Sequence, residues 1–315
     1  MGITARSIRG RVAATAVTLA AAVTAAGSAA AGTAAAATGP GAPAGPRPGI
    51  GVVHNVSPAA QRATRAFWTP SRVAAATPAS GVPAPERSPA VQPSSLPSPI
   101  QFNGVPTVGA LFFTTGTQKH FCTASVVNSV TGNLVLTAAH CVYGSTYATN
   151  IEFVPQFHNK KQPFGAWPVQ AITVAAGWQQ SHDQNLDFAF LRVAPPAGTG
   201  QPIQLVTGGL WLGIDRGYAH PIEVIGYNNT AVAPIRCATD SFEYAPHQMK
   251  FFCRDYQNGT SGGPWILDFN SSDGTGTVFG VIGGYEEGGN VPWASYSAYF
   301  GPPTLALFLQ AEKQA

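Results

Sequence analysis

One short run of the chain sets the strongest constraint on its fold: Asn258-Gly259-Thr260-Ser261-Gly262-Gly263-Pro264. Glycine admits backbone shapes that a Cβ forbids. A serine held among glycines can turn its oxygen outward while neighbouring backbone N–H groups converge on one point. That arrangement suits attack on a carbonyl, with donors ready for the developing oxyanion. A glycine-rich hairpin turn would leave the same signature, so the reading depends on partners elsewhere in the chain.

A serine hydroxyl needs a base, and the base needs an orienting group. Leu136-Thr137-Ala138-Ala139-His140-Cys141 sets a histidine at the end of an apolar run, beside a cysteine. Asn185-Leu186-Asp187-Phe188-Ala189-Phe190-Leu191 sets a carboxylate at the head of a strand-like segment. Asp183 is the rival carboxylate, but Ser181-His182-Asp183-Gln184-Asn185 reads as a polar loop. With these stretches in the order His, Asp, Ser, residues 105–309 resemble the chymotrypsin-like (trypsin-type) serine proteases. The bacterial secreted branch, including the glutamyl-endopeptidase type, is the nearer likeness. Animal digestive members carry an aspartate directly before the nucleophile, paired with a newly cut N-terminal amine. Thr260 stands there in this chain, and a neutral hydroxyl cannot form that ion pair.

The resemblance implies an all-β fold of two packed antiparallel β-barrels with a C-terminal helix. The first barrel would supply His140 and Asp187, and the second Ser261. It implies His140, Asp187 and Ser261 as catalytic residues, with the backbone N–H groups of Gly259 and Ser261 as oxyanion donors. For the specificity pocket it points to Asp255, six residues before Ser261, and to Gly283 and Gly284 in a later strand. A carboxylate there would favour Arg or Lys, and Glu286 and Glu287 add negative charge nearby. That strand holds no histidine, so a preference for glutamate gains no support.

The four cysteines permit three pairings. The resemblance favours Cys122–Cys141, which leaves Cys237–Cys253. The seven histidines show no His-x-x-x-His pair, and Cys122 and Cys141 lie far from a Cys-x-x-Cys spacing. No metal and no cofactor is expected.

The texture of the chain agrees with strands. Charged residues make up only 10%, while glycines number 35 and prolines 27, which favours short strands and turns over charged helices. Apolar runs bounded by turn residues predict strands at 108–113, 121–127, 134–136, 151–155, 167–174, 188–193, 222–227, 249–253, 265–268 and 277–283. Residues 303–309 predict a closing helix.

The N-terminal third differs. Residues 1–37 read as an export signal: Arg6, Arg9 and Arg11, then an alanine-rich apolar core and small residues for cleavage. Residues 38–100 hold 13 of the 27 prolines and predict a disordered Pro/Ala-rich propeptide or linker. Residues 101–315 form the predicted protease domain. They carry nine Lys and Arg against thirteen Asp and Glu, so they are mildly acidic and give no support for nucleic-acid binding. The expected product is a secreted, extracellular monomer acting on protein or peptide substrates, with no stable membrane association once the signal is removed. A catalytically silent binding protein on the same fold is the alternative. An α/β-hydrolase esterase shares the Gly-x-Ser-x-Gly pattern, but it needs the order Ser, acid, His and alternating helices.

Overall fold

The computed structural model describes residues 50–79, 94–196, 198, 200–229 and 232–313. The expected export signal lies outside the described residues, as do 38–49 and 80–93 of the proline-rich segment.

Residues 50–79 correct one expectation. They form an ordered arm of β1 (Gly51–Asn55), α1 (Pro58–Phe67), α2 (Pro70–Ala74) and β2 (Thr77–Pro78). The prolines that suggested an extended segment start helices instead. Pro58 and Pro70 open the two helices, and the Ser57 and Thr69 side chains accept N–H bonds from Ala60 and Arg72. Proline suits that position because its missing N–H would be unpaired anyway. Composition judged the arm alone, whereas its Trp68 and Val73 are buried against other strands. β3 (Ile100–Gln101) follows.

The first barrel comprises β4 (Val108–Thr115), β5 (Gln118–Val127), β6 (Leu134–Thr137), β7 (Thr149–Pro155), β8 (Trp167–Ala175) and β9 (Ala189–Val193). Its order is β8-β7-β4-β5-β6-β9, and β9 pairs back onto β8, so six antiparallel strands close on themselves. The arm extends this system at both ends: β1 pairs antiparallel with β8, and β2 pairs parallel with β5. After β8, α3 (Ala176–Ser181) and a single 3-10 turn, Gln184–Leu186, lead directly to Asp187.

α4 (Ile203–Thr207) connects to the second system. This holds β10 (Trp211–Leu212), β11 (Pro221–Tyr227), β12 (Pro234–Ala245), β13 (Gln248–Phe252), β14 (Pro264–Asn270), β15 (Thr275–Val281) and β16 (Ala294–Ala298). The order is β10-β15-β14-β11-β12-β13-β16, with β3 added to β12. β15 and the residues after it meet β16 without a continuous ladder. Val281 N–H donates to Ser297 Oγ at 3.0 Å, and Gly283 N–H donates to the Tyr296 carbonyl at 3.0 Å. No strand was expected at β3, β10, β12 or β16.

α5 (Pro302–Glu312) ends the described chain. It returns to the first barrel, where Phe308 packs edge-on against Phe190 at 5.5 Å and Gln310 Nε2 donates to the Gly51 carbonyl at 3.0 Å. Both disulfides take the pairing that the resemblance implied, Cys122–Cys141 and Cys237–Cys253.

Candidate active site

His140 sits just past the end of β6. Ala138 and Ala139 are wholly buried, and the next residue is tied to β5 by the Cys141–Cys122 bond. Small side chains let this loop lie close to the barrel, and the cross-link fixes it there. Asp187 leaves the 3-10 turn as β9 begins and is fully buried. A buried carboxylate is costly unless donors surround it. Asp187 has three: the His140 ring Nδ1–H at 2.8 Å, the His140 backbone N–H at 2.9 Å and the Gly284 backbone N–H at 2.9 Å. A carboxylate can only accept, so Nδ1 carries the proton and Nε2 is the basic nitrogen. Nε2 is buried and has no hydrogen-bond partner among the described residues. Asp183 takes no part. Its carboxylate accepts the Asn185 N–H and caps the 3-10 turn.

Burial pulls the His140 pKa down. The Asp187 charge, its hydrogen bond and the charge of Glu287 outweigh that effect and hold it above its ordinary value.

Ser261 lies in a tight turn before β14 and is 7% exposed. Gly259 and Gly262 have φ of 95° and 78°, the left-handed side where glycine carries no steric cost. The turn is stapled to the histidine loop. Thr123 N–H on β5 donates to the Ser261 carbonyl at 2.8 Å, and Thr137 Oγ1 on β6 donates to the Thr123 carbonyl at 2.8 Å. A Cβ at Gly262 would fall 2.2 Å from Thr137 Oγ1 and 3.0 Å from Ala138 N, so only glycine allows this approach. The N–H groups of Gly259 and Ser261 donate to no acceptor among the described residues. Thr260 is buried, with its hydroxyl donating to the Gln257 carbonyl at 2.7 Å.

A cavity of about 280 Å³ opens beside Ser261, between Tyr256, Gln257 and Asn258 on one side and Ile282 and Glu287 on the other. A second, of about 340 Å³, opens beside His140 against Phe113, His120 and His182. Glu287 borders both and is the one carboxylate among their lining residues. It lies in the 3-10 turn Tyr285–Gly288, where Glu286 and Glu287 both take left-handed backbone, φ 51° and 52°.

Asp255 is exposed at φ 61°, and its carbonyl accepts from Asn228 Nδ2. Neither it, Gly283 nor Gly284 lines the cavity beside Ser261. Gly284 spends its N–H on Asp187, and a Cβ at Gly283 would sit 3.0 Å from Asp187 Oδ2. The glycine pair is thus a close-approach site for Asp187. Cys122, His140 and Cys141 also bring potential metal-binding atoms within 4.8 Å of one another, but the two sulfurs are bonded to each other and offer no thiolate.

Residues 97–298 match the trypsin family model. The chain belongs to the trypsin family. Among solved structures, this trypsin-family chain is similar to the protease Anisep from Arthrobacter nicotinovorans, with 26% identity over 68% of this chain and 98% of that one, TM-score 0.61. It is also similar to AL20, a thermostable serine protease from an extremophilic microorganism, at 22% identity, with 67% and 98% covered and TM-score 0.60. A Glu endopeptidase shares the fold at 14% identity, with 69% and 98% covered and TM-score 0.51. No curated protein sequence matches the chain. Membership of the family makes the chain a serine endopeptidase, with protein or peptide substrates.

Proposed function

We propose that the chain is an exported, monomeric serine endopeptidase using Ser261, His140 and Asp187, with no cofactor. Ser261 Oγ bonds to the peptide carbonyl carbon as its proton passes to His140 Nε2. The carbonyl oxygen becomes an oxyanion beside the N–H groups of Gly259 and Ser261. Collapse breaks the C–N bond, and Nε2 returns the proton to the leaving amine. Water then repeats the sequence on the acyl-enzyme and releases the carboxylic acid. Asp187 holds the imidazole in its Nδ1–H tautomer and favours its charged form.

The Asp187–His140 pairing carries this reading: the buried carboxylate accepts a hydrogen bond from the ring Nδ1–H, and Nε2 has no partner among the described residues. A serine hydroxyl brought to that nitrogen donates to it and can pass its proton there. A silent binder would gain nothing from it. Export rests on the residues 1–37 and agrees with the two disulfides, which persist in oxidising compartments. Among the described residues no helix is long and apolar enough to cross a membrane.

The test is a peptide-library digest with purified protein and its Ser261→Ala variant. Parent protein cutting peptides while the variant does not supports the proposal. Equal cutting by both, or by neither, defeats it.

A further inference from the structure

We infer that the N-terminal arm is a working part of the enzyme, and that Trp68 is a positioning residue for the oxyanion glycine, Gly259. The inference rests on the serine mechanism proposed above and asks what holds its oxyanion turn in place. Thr260 does not do so through an ion pair, since its hydroxyl is spent inside the turn.

Gly259 is gripped by neighbours. A Cβ there would lie 2.4 Å from the Phe121 ring and 2.7 Å from the Tyr227 carbonyl. Thr123 Oγ1 donates to the Gly259 carbonyl at 3.0 Å and accepts the Tyr227 N–H at 2.8 Å. Where the Phe121 ring goes, the Gly259 peptide must follow.

Phe121 is in turn held by the arm, from two directions. Along the backbone, Pro78 of β2 pairs with Phe121, and Ala79 N–H donates to the Phe121 carbonyl at 2.9 Å. Through side chains, Trp68 packs at a tilt against Phe112, centroids 5.5 Å apart, and Phe112 meets Phe121 at 6.5 Å. Trp68 is 7% exposed, and its indole N–H donates to the Asn150 carbonyl at 2.6 Å. The resulting core of Trp68, Val73, Phe112, Phe121, Phe157 and Tyr227 joins arm, first barrel and second system. Interiors packed this densely transmit displacement rather than absorb it.

Removing the indole would leave a void behind Phe112 and let Phe121 and Gly259 relax together. A displacement of about 1 Å at a reacting centre can cost about 10²-fold in rate. The loss falls on the oxyanion, which exists only after attack. It therefore lowers kcat and leaves KM nearly unchanged.

The experiment compares Trp68→Ala and Trp68→Phe with the parent in the full chain. Active sites are counted with a serine-directed phosphonate, and kcat is expressed per titrated site. That count removes any unfolded fraction. For Trp68→Ala we expect kcat per site to fall by about tenfold or more, KM to stay within about twofold and the acid-limb pKa of kcat/KM to stay fixed. Trp68→Phe, which keeps a ring against Phe112, should recover most of the rate. Unchanged kcat per site in Trp68→Ala overturns the inference, as does a loss confined to KM. If Trp68→Ala does not fold, Trp68→Leu and Trp68→Phe take its place, and parental kcat per site in both overturns it. Failure here with Ser261→Ala inactive defeats the arm's role alone. An active Ser261→Ala protein defeats the mechanism beneath it.

Discussion

Asp187 holds His140 at both its backbone and its ring: Oδ1 takes the backbone N–H at 2.9 Å and Oδ2 takes the ring Nδ1–H at 2.8 Å. Loop position and ring tautomer are therefore set by one side chain. Gly284 N–H completes the set on Oδ2.

Asp187→Asn should uncouple these functions. An amide must present N–H to groups that are themselves donors, so the imidazole takes the other tautomer and loses its basic Nε2. Turnover of a peptide substrate should fall by about 10⁴, with the circular dichroism spectrum unchanged. A loss under tenfold would show that the tautomer is held by something else.

Glu287 bears on pH dependence. The His140 pKa stands above its ordinary value after burial, which lowers it, is outweighed by Asp187 and Glu287. The base works when neutral, so kcat/KM should rise as pH climbs through that raised value. Glu287→Gln removes a negative charge that favours imidazolium, so the acid limb should move to lower pH. The same change should lower kcat/KM for cationic peptides more than for neutral ones, read from paired substrates. An unmoved acid limb would remove Glu287 from the His140 environment.

Glu152 on β7 gives a stability signature. It is 2% exposed, and burial pushes its pKa up to about 8, a rise opposed by the Arg65 charge from the arm. Its folded-state value is raised, so the folded protein binds a proton that the unfolded chain releases. Stability from this group should be complete below about pH 4.5 and fall as pH rises toward about 8. The slope is at most about 1.4 kcal/mol per pH unit. Glu152→Gln should flatten the dependence of Tm on pH across that window. An unaltered profile would place the titration elsewhere.

The sequence made the first barrel's strands legible because both their faces are apolar: β4, β6 and β9 are buried almost throughout. Strand β12 was hidden because much of it faces solvent and it carries charges at Arg236, Asp240 and Glu243. The arm was hidden for another reason: its helices need the barrel's Phe112 and Val154 to bury Trp68. At the candidate site, His140, Asp187 and Ser261 stand out in the sequence by side-chain chemistry and order, and the structure adds the hydrogen bonds between Asp187 and His140. The Gly284 donor does not stand out, because a backbone N–H leaves no letter in the sequence. Asp255 takes a left-handed turn conformation, φ 61°, and is exposed, a backbone detail that its position in the sequence does not reveal.

The Cys237–Cys253 bridge spans a separation of 16 residues, between β12 and the end of β13. Replacing both cysteines with serine should cost about 3 kcal/mol by the loop-closure argument, read from denaturant unfolding. Activity per folded molecule should fall less than after loss of Cys122–Cys141, which anchors the His140 loop. The reverse ranking would contradict the role given to that loop.

Labelling with a serine-directed phosphonate, followed by peptide mapping in the mass spectrometer, probes the nucleophile itself. One adduct per molecule, located on Ser261 and lost in both Ser261→Ala and His140→Ala, is the expected result. An adduct on another residue, or labelling of Ser261 at the parent rate without His140, would contradict a mechanism in which that imidazole takes the serine proton.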